Sequence, residues 1–80
     1  MISLRILCFA QAREKLGFAE KTILCEPTAT PRDILVSLAH ASIPDAASTW
    51  RVALDHEYAG WNEPIGDAAE MALLPPVSGG

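Results

Sequence analysis

TPRDILVSLA, residues 30–39, is the stretch on which the fold turns. Thr30 suits a helix N-cap and Pro31 the first helical position. Asp33 stands at the capping-box position, where Glu is the usual residue. Ile34, Leu35, Leu38 and Ala39 then form one apolar stripe at helical spacing, with Arg32, Ser37 and His40 off it. The spacing predicts a helix over about residues 31–41 with a single core-facing side. Truncating Leu38 in that stripe is expected to cost roughly 2–5 kcal/mol. An amphipathic helix needs a partner layer, and the segments on either side read as strands.

Upstream, residues 2–9, ISLRILCF, alternate. Ile2, Leu4, Ile6 and Cys8 point one way, and Ser3, Arg5, Leu7 and Phe9 the other. The second face begins polar and ends apolar, which suits either a partner site or a surface under a loop. Residues 10–16, AQAREKL, contain no β-branched residue and favour a short helix, which Gly17 would stop. EKTILC, 20–25, is a second strand, and the short link predicts antiparallel pairing with the first.

Downstream, SIPDAAST (42–49) reads as a loop with a helical turn at 45–48, and WRVAL (50–54) as a third strand. DHEY (55–58) is a turn leading into a short strand at about 57–60, and NEPIGD (62–67) is a loop. EMALL (70–74) is the last strand, with Met71 and Leu73 on one face and Ala72 and Leu74 on the other. A hairpin, a helix crossing its face and a returning strand make an α+β, β-grasp arrangement. A mixed sheet would pack on one main helix in a single domain spanning 1–80. Residues 75–80 would project as a flexible tail.

The chain has 80 residues, half of them hydrophobic, and a chain so short buries only about 60% of its unfolded surface. Its net charge of −4 argues against nucleic acid, whose binders need a basic footprint. It leaves room for a protein partner with a basic surface. No run approaches the roughly 20 apolar residues of a membrane span. Met1–Arg5 lacks the basic-then-apolar pattern of a secretion signal. The expected location is the cytoplasm, away from membranes. Cys8 and Cys25 sit inside strand patterns with no CxxC or Cys/His spacing, so buried thiols are expected, with no metal. Trp50 and Trp61 read as packing residues, and His40 and His56 as exposed ones. Arg5, Arg13, Lys15 and Arg51 form a solvated face on which some could meet a partner's rim.

The chemistry gathers at LLPPVSGG, residues 73–80. Pro75 and Pro76 lack a backbone N–H and fix φ, so they stop the strand and stiffen the tail in an extended form. Five extended residues reach roughly 16 Å. A stiff base followed by Val77, Ser78 and two glycines can be threaded into another protein's channel. Gly79 and Gly80 make the tip as slim as a polypeptide can be. The Gly80 carboxylate is an inert anion at neutral pH. To react it must be activated elsewhere, most simply as a mixed anhydride with AMP. No serine lies in a nucleophile motif, and there is no glycine-rich phosphate loop. The pattern is that of a carrier.

FAQAREKLG (9–17) and ALLPPVSGG (72–80) resemble the molybdopterin synthase small-subunit family, the sulfur carriers of molybdenum-cofactor synthesis. The likeness covers the whole chain in length and element order, and is weak between about 42 and 66. It implies the ubiquitin-like β-grasp fold and a mechanism. A ubiquitin-activating-like adenylyltransferase would use ATP to form a glycyl adenylate at Gly80. A sulfurtransferase would convert it to a thiocarboxylate (1-thioglycine), with no cofactor bound by the carrier itself. The tail would enter the large synthase subunit, in a heterotetramer, and donate sulfur to cyclic pyranopterin monophosphate to build the dithiolene. Catalytic groups would lie on the large subunit. By position, the family's partner-facing patch falls on Phe9, Tyr58 and Leu74, with Pro75, Pro76, Val77 and Ser78 following into the channel. Two departures stand out: Asp67-Ala68-Ala69-Glu70 replaces the usual Asp-Gly-Asp-Glu turn, and Asp55 replaces a common Asn. The first puts that turn's geometry in question. A thiamine-pathway sulfur carrier and a ubiquitin-like protein modifier remain alternative readings of the same tail.

Overall fold

The computed structural model describes residues 1–39 and 49–76. The elements in order are β1 (Ile2–Cys8), α1 (Gln11–Leu16), β2 (Glu20–Cys25), α2 (Pro31–Ala39), β3 (Arg51–Leu54), β4 (Glu57–Ala59) and β5 (Glu70–Leu74). The strands form one sheet in the order β2-β1-β5-β3-β4. β1 and β2 are antiparallel, with Ile2 opposite Cys25 and Leu7 opposite Glu20. β5 lies parallel to β1, Ile6 beside Met71, and antiparallel to β3, which also pairs with β4. A parallel neighbour requires a long crossover, and α2 lies within it. This is the mixed β-grasp sheet on one main helix that the sequence predicts.

The core lies on one side of the sheet. Leu4, Ile6 and Cys8 of β1 meet Val52, Met71 and Leu73 from the neighbouring strands, with Ile34 and Leu35 of α2 packed over them. The alternation in β1 and β5 is as read from the sequence. Both cysteines are free and buried. Burial pushes both thiols' pKa up, and the charge of Glu26 adds to the rise at Cys25. Leu38 packs against the core, as the stripe predicts, but is less buried than Ile34 and Leu35. It is only half-buried against the core, so its truncation exposes less apolar surface than the stripe implied and costs less. The expected continuation of α2 to residue 41, His40 and the expected turn at 45–48 lie outside the described residues.

The capping box at the start of α2 is formed. Asp33 N–H donates to Thr30 Oγ1 at 3.2 Å, and Thr30 N–H donates to Asp33 Oδ2 at 3.1 Å. Asp therefore serves where Glu is usual. Gly17 ends α1 in the left-handed region, φ 84°, its N–H donating to the Arg13 carbonyl at 2.8 Å. The loop after β4 is fastened beneath α2 by backbone bonds. Arg32 N–H donates to the Trp61 carbonyl (3.1 Å), Ile65 N–H to Ala29 (2.7 Å) and Gly66 N–H to Pro27 (2.8 Å). The Trp61 indole N–H donates to the Trp50 carbonyl at 3.1 Å. Trp50 is buried and Trp61 packs against the core, so both serve packing as expected. Before β5, Gly66 takes the positive φ (64°), and Ala68 N–H closes the turn onto the Ile65 carbonyl at 3.3 Å. The missing glycine at 68 is thus absorbed two residues earlier, and Ala68 is buried.

Candidate functional site

The second face of the sheet is not covered by either described helix, and pairing sets what it displays. Leu7 stands beside Ala72, Ala72 opposite Ala53, and Ala53 opposite Tyr58. Residues in register share a face, so these four form one apolar row. Ala72 and Ala53 are small, and the larger side chains around them leave a shallow depression of about 340 Å³. Phe9 and Leu74 line it toward the end where the chain leaves the sheet, and His56 and Glu70 toward the other end. Phe9 is 45% exposed and Tyr58 74%, while Leu74 is half-buried. The structure therefore brings together Phe9, Tyr58 and Leu74. The sequence reading placed Leu7 and Ala72 on this face without joining them to the site, and missed Ala53, His56 and Glu70. Alternation within each strand signals the face, but only pairing register shows which residues meet across it.

Pro75 and Pro76 follow Leu74 directly, so the tail begins at the edge of the depression. Val77, Ser78, Gly79 and Gly80 lie outside the described residues.

Phe9 is held by an unusual turn. Ala12 N–H donates to the Phe9 carbonyl at 3.0 Å, across Ala10 at φ 49°, ψ −122°. Those angles suit the first central position of a type II′ turn, where Gly is the ordinary occupant. An alanine there stores roughly 1–3 kcal/mol of strain, against about 0.5–1 kcal/mol of extra backbone entropy for Gly. Ala10→Gly is therefore expected to raise stability by about 1 kcal/mol. An unchanged or lowered urea midpoint would refute this account of the turn.

The charged end of the face is internally satisfied. Arg5 hydrogen-bonds Glu70 and lies 3.8 Å from Glu20. The bond and charge of Glu70 hold the guanidinium still more firmly protonated. His56, exposed as expected, has Nε2 3.8 Å from Glu70 Oε1. Asp55 and His56 both have positive φ, 49° and 73°, and form a two-residue hairpin turn between β3 and β4. Asp55 Oδ1 accepts from the N–H groups of Ala69 (3.0 Å) and Glu70 (3.1 Å). A carboxylate oxygen thus does what an Asn amide oxygen would do, and ties the β3–β4 turn to β5. Among the described residues no cluster of His, Cys, Asp or Glu is placed to hold a metal.

Residues 6–80 match the ThiS family. A molybdopterin synthase sulfur carrier subunit of Chlamydomonas reinhardtii is 32% identical, covering 99% of this chain and all of that protein. That of Arabidopsis thaliana is 30% identical, over 99% of this chain and 84% of that protein. Among solved structures, the small archaeal modifier protein SAMP1 of Haloferax volcanii superposes with a TM-score of 0.75 at 28% identity, covering 98% and 99% of the two chains. A chain in the complex of subunits 1 and 2 of molybdopterin-converting factor from Helicobacter pylori gives 0.63 at 18% identity, over 99% and 100%, and speaks to the fold alone. The fold is thus the ubiquitin-like β-grasp, and the chain belongs to the ThiS family, with molybdopterin synthase sulfur carrier subunits among its relatives.

Proposed function

We propose that this protein is the sulfur carrier of a molybdopterin synthase, loaded and unloaded at Gly80. One observation carries the reading: β5, a central strand of the apolar depression, is the strand that the Pro75–Gly80 tail continues. A partner seated on Phe9, Tyr58 and Leu74 would have the tail at its surface, aimed inward. The names of the full-length relatives support the molybdopterin branch.

In this mechanism a Gly80 carboxylate oxygen attacks the α-phosphorus of ATP on an adenylyltransferase, and pyrophosphate leaves. Sulfide-level sulfur from a sulfurtransferase then displaces AMP, which carries away the oxygen, and a thiocarboxylate remains. Inside the large subunit the sulfur displaces an oxygen substituent of cyclic pyranopterin monophosphate to form a thioester. Water hydrolyses that thioester and returns the Gly80 carboxylate, and two such transfers build the dithiolene. The carrier contributes the docking face, the stiff proline base and the slim tip; the large subunit contributes the acid and base groups. Two carriers and two large subunits make the assembly, working in the cytoplasm.

Intact mass spectrometry after incubation with ATP, the activating enzyme and a sulfur source tests this. A gain equal to exchanging one oxygen for one sulfur, localised to Gly80, is expected. No gain, with the enzyme active on another carrier, would sink the reading. Phe9→Ala or Leu74→Ala is expected to weaken the large-subunit complex by about 1–3 kcal/mol. Unchanged calorimetric affinity would remove that residue from the interface. The likeness to SAMP1 favours a second reading, conjugation of Gly80 to protein amines. Isopeptide adducts in cell extract would support it.

A further inference from the structure

The open sheet face carries two arginines with different surroundings. Arg5, at the end away from the tail, is neutralised by Glu70 and Glu20. Arg51 stands opposite Leu74, the last strand residue before Pro75. Arg51 is exposed and has no carboxylate within ion-pair distance among the described residues. Its guanidinium lies over the Tyr58 ring, 5.8 Å from the centroid. A ring beneath a guanidinium attracts it without neutralising its charge, so its N–H donors remain available to an anionic partner.

From this we infer that Arg51 is a specificity-determining residue of the docking face. It binds an Asp or Glu side chain that the large subunit presents beside the mouth of its channel. The inference rests on the carrier reading above. Charge complementarity selects the partner's chemistry: the face offers a neutralised charged end, an apolar middle and one unmatched cation at the root of the tail. A partner placing an apolar group there would bury an uncompensated charge, which is costly. A nucleotide phosphate is the wrong occupant. A tail threaded into the channel as proposed would carry its reactive end roughly 20 Å beyond the strand, six residues at about 3.3 Å each, past the reach of an arginine beside Tyr58. The anion at Arg51 therefore belongs to the protein surface around the channel and not to the chemistry at its end.

The test is the dissociation constant of the full-length carrier with its organism's own large synthase subunit, measured across a range of salt concentrations. Wild type, Arg51→Gln, Arg51→Lys and Phe9→Ala are compared. Arg51→Gln is expected to weaken binding about tenfold at low salt and to flatten the salt dependence. Arg51→Lys should keep most of that dependence, because the charge remains. Phe9→Ala should weaken binding with the wild-type salt slope. If Arg51→Gln matches wild type in affinity and slope while Phe9→Ala binds weakly, the inference is wrong and the carrier reading stands. If wild type itself forms no complex, the carrier reading fails and takes the inference with it. The Arg51→Gln urea midpoint should equal that of wild type, since the side chain is exposed and makes no hydrogen bond in the core.

Discussion

Deletion of Gly80 is expected to abolish sulfur loading and dithiolene formation while leaving the domain as stable as before. The last fully buried side chain of the described chain is Leu73, and the β5 ladder ends at Leu74. Gly80 follows Leu74 by six residues in the chain, so its removal is expected to take nothing from the core or the sheet. It moves the terminal carboxylate back by roughly 3.3 Å, which is large against the fraction of an ångström within which reacting atoms must be held. It also leaves Gly79 as the terminus, so the carboxyl chemistry is intact and only its position is wrong. The expected outcome is therefore an unchanged urea midpoint together with loss of the mass gain on loading. A shortened carrier that still supports dithiolene formation in a reconstituted assay would overturn the mechanism. One that unfolds would overturn the separation of tail from domain.

Leu35→Ala is expected to have the largest effect on stability. Leu35 is 1% exposed, on the face of α2 that lies over the sheet core. Such a truncation costs roughly 2–5 kcal/mol, the lost transfer energy plus the cavity left behind. A domain of this size has only about 4–12 kcal/mol in total. The urea midpoint should fall by more than about 1 M, given the slopes usual for small proteins. Val36, the next residue, is half exposed, and Val36→Ala should change stability by no more than about 0.5 kcal/mol. Similar losses from the two substitutions would mean that α2 is rotated from the orientation described.

The parts of the fold that were legible in the sequence are those set by local rules. Period-two alternation gave the facing of β1 and β5, and the Thr30–Asp33 box and Gly17 fixed two helix ends. What was hidden depends on partners distant in the chain. Leu38 sits on the apolar stripe and packs against the core, but how deeply it is buried depends on tertiary neighbours that no local pattern states. Ala10 reads as a helix former, yet the chain must turn sharply after β1, and the turn places it at φ 49°. Asp55 was visible as a departure from the family pattern. Its two bonds to Ala69 and Glu70 appear only when β3 and β5 lie side by side. On the open sheet face, Phe9 and Leu74 could be read from strand parity. Parity placed Ala72 beside Leu74 as well, but that Ala72 and Ala53 together form the floor appears only when register sets them side by side.

The central place of β5 has a consequence for how the protein comes into being. The first and last strands are neighbours, and without the last one the two hairpins share no edge. Most of the sheet's closure therefore spans nearly the whole chain, a topology that folds slowly for its size. During synthesis the β1–β2 hairpin and α2 emerge first but cannot complete a core until residues 70–74 have been made. Until then their apolar surfaces are exposed to other chains and to chaperones. The apolar depression, which needs β1, β3, β4 and β5 at once, comes into existence only when the segment leading into the tail has already been delivered. A partner that reads this face would engage only a chain in which β5 is already in place.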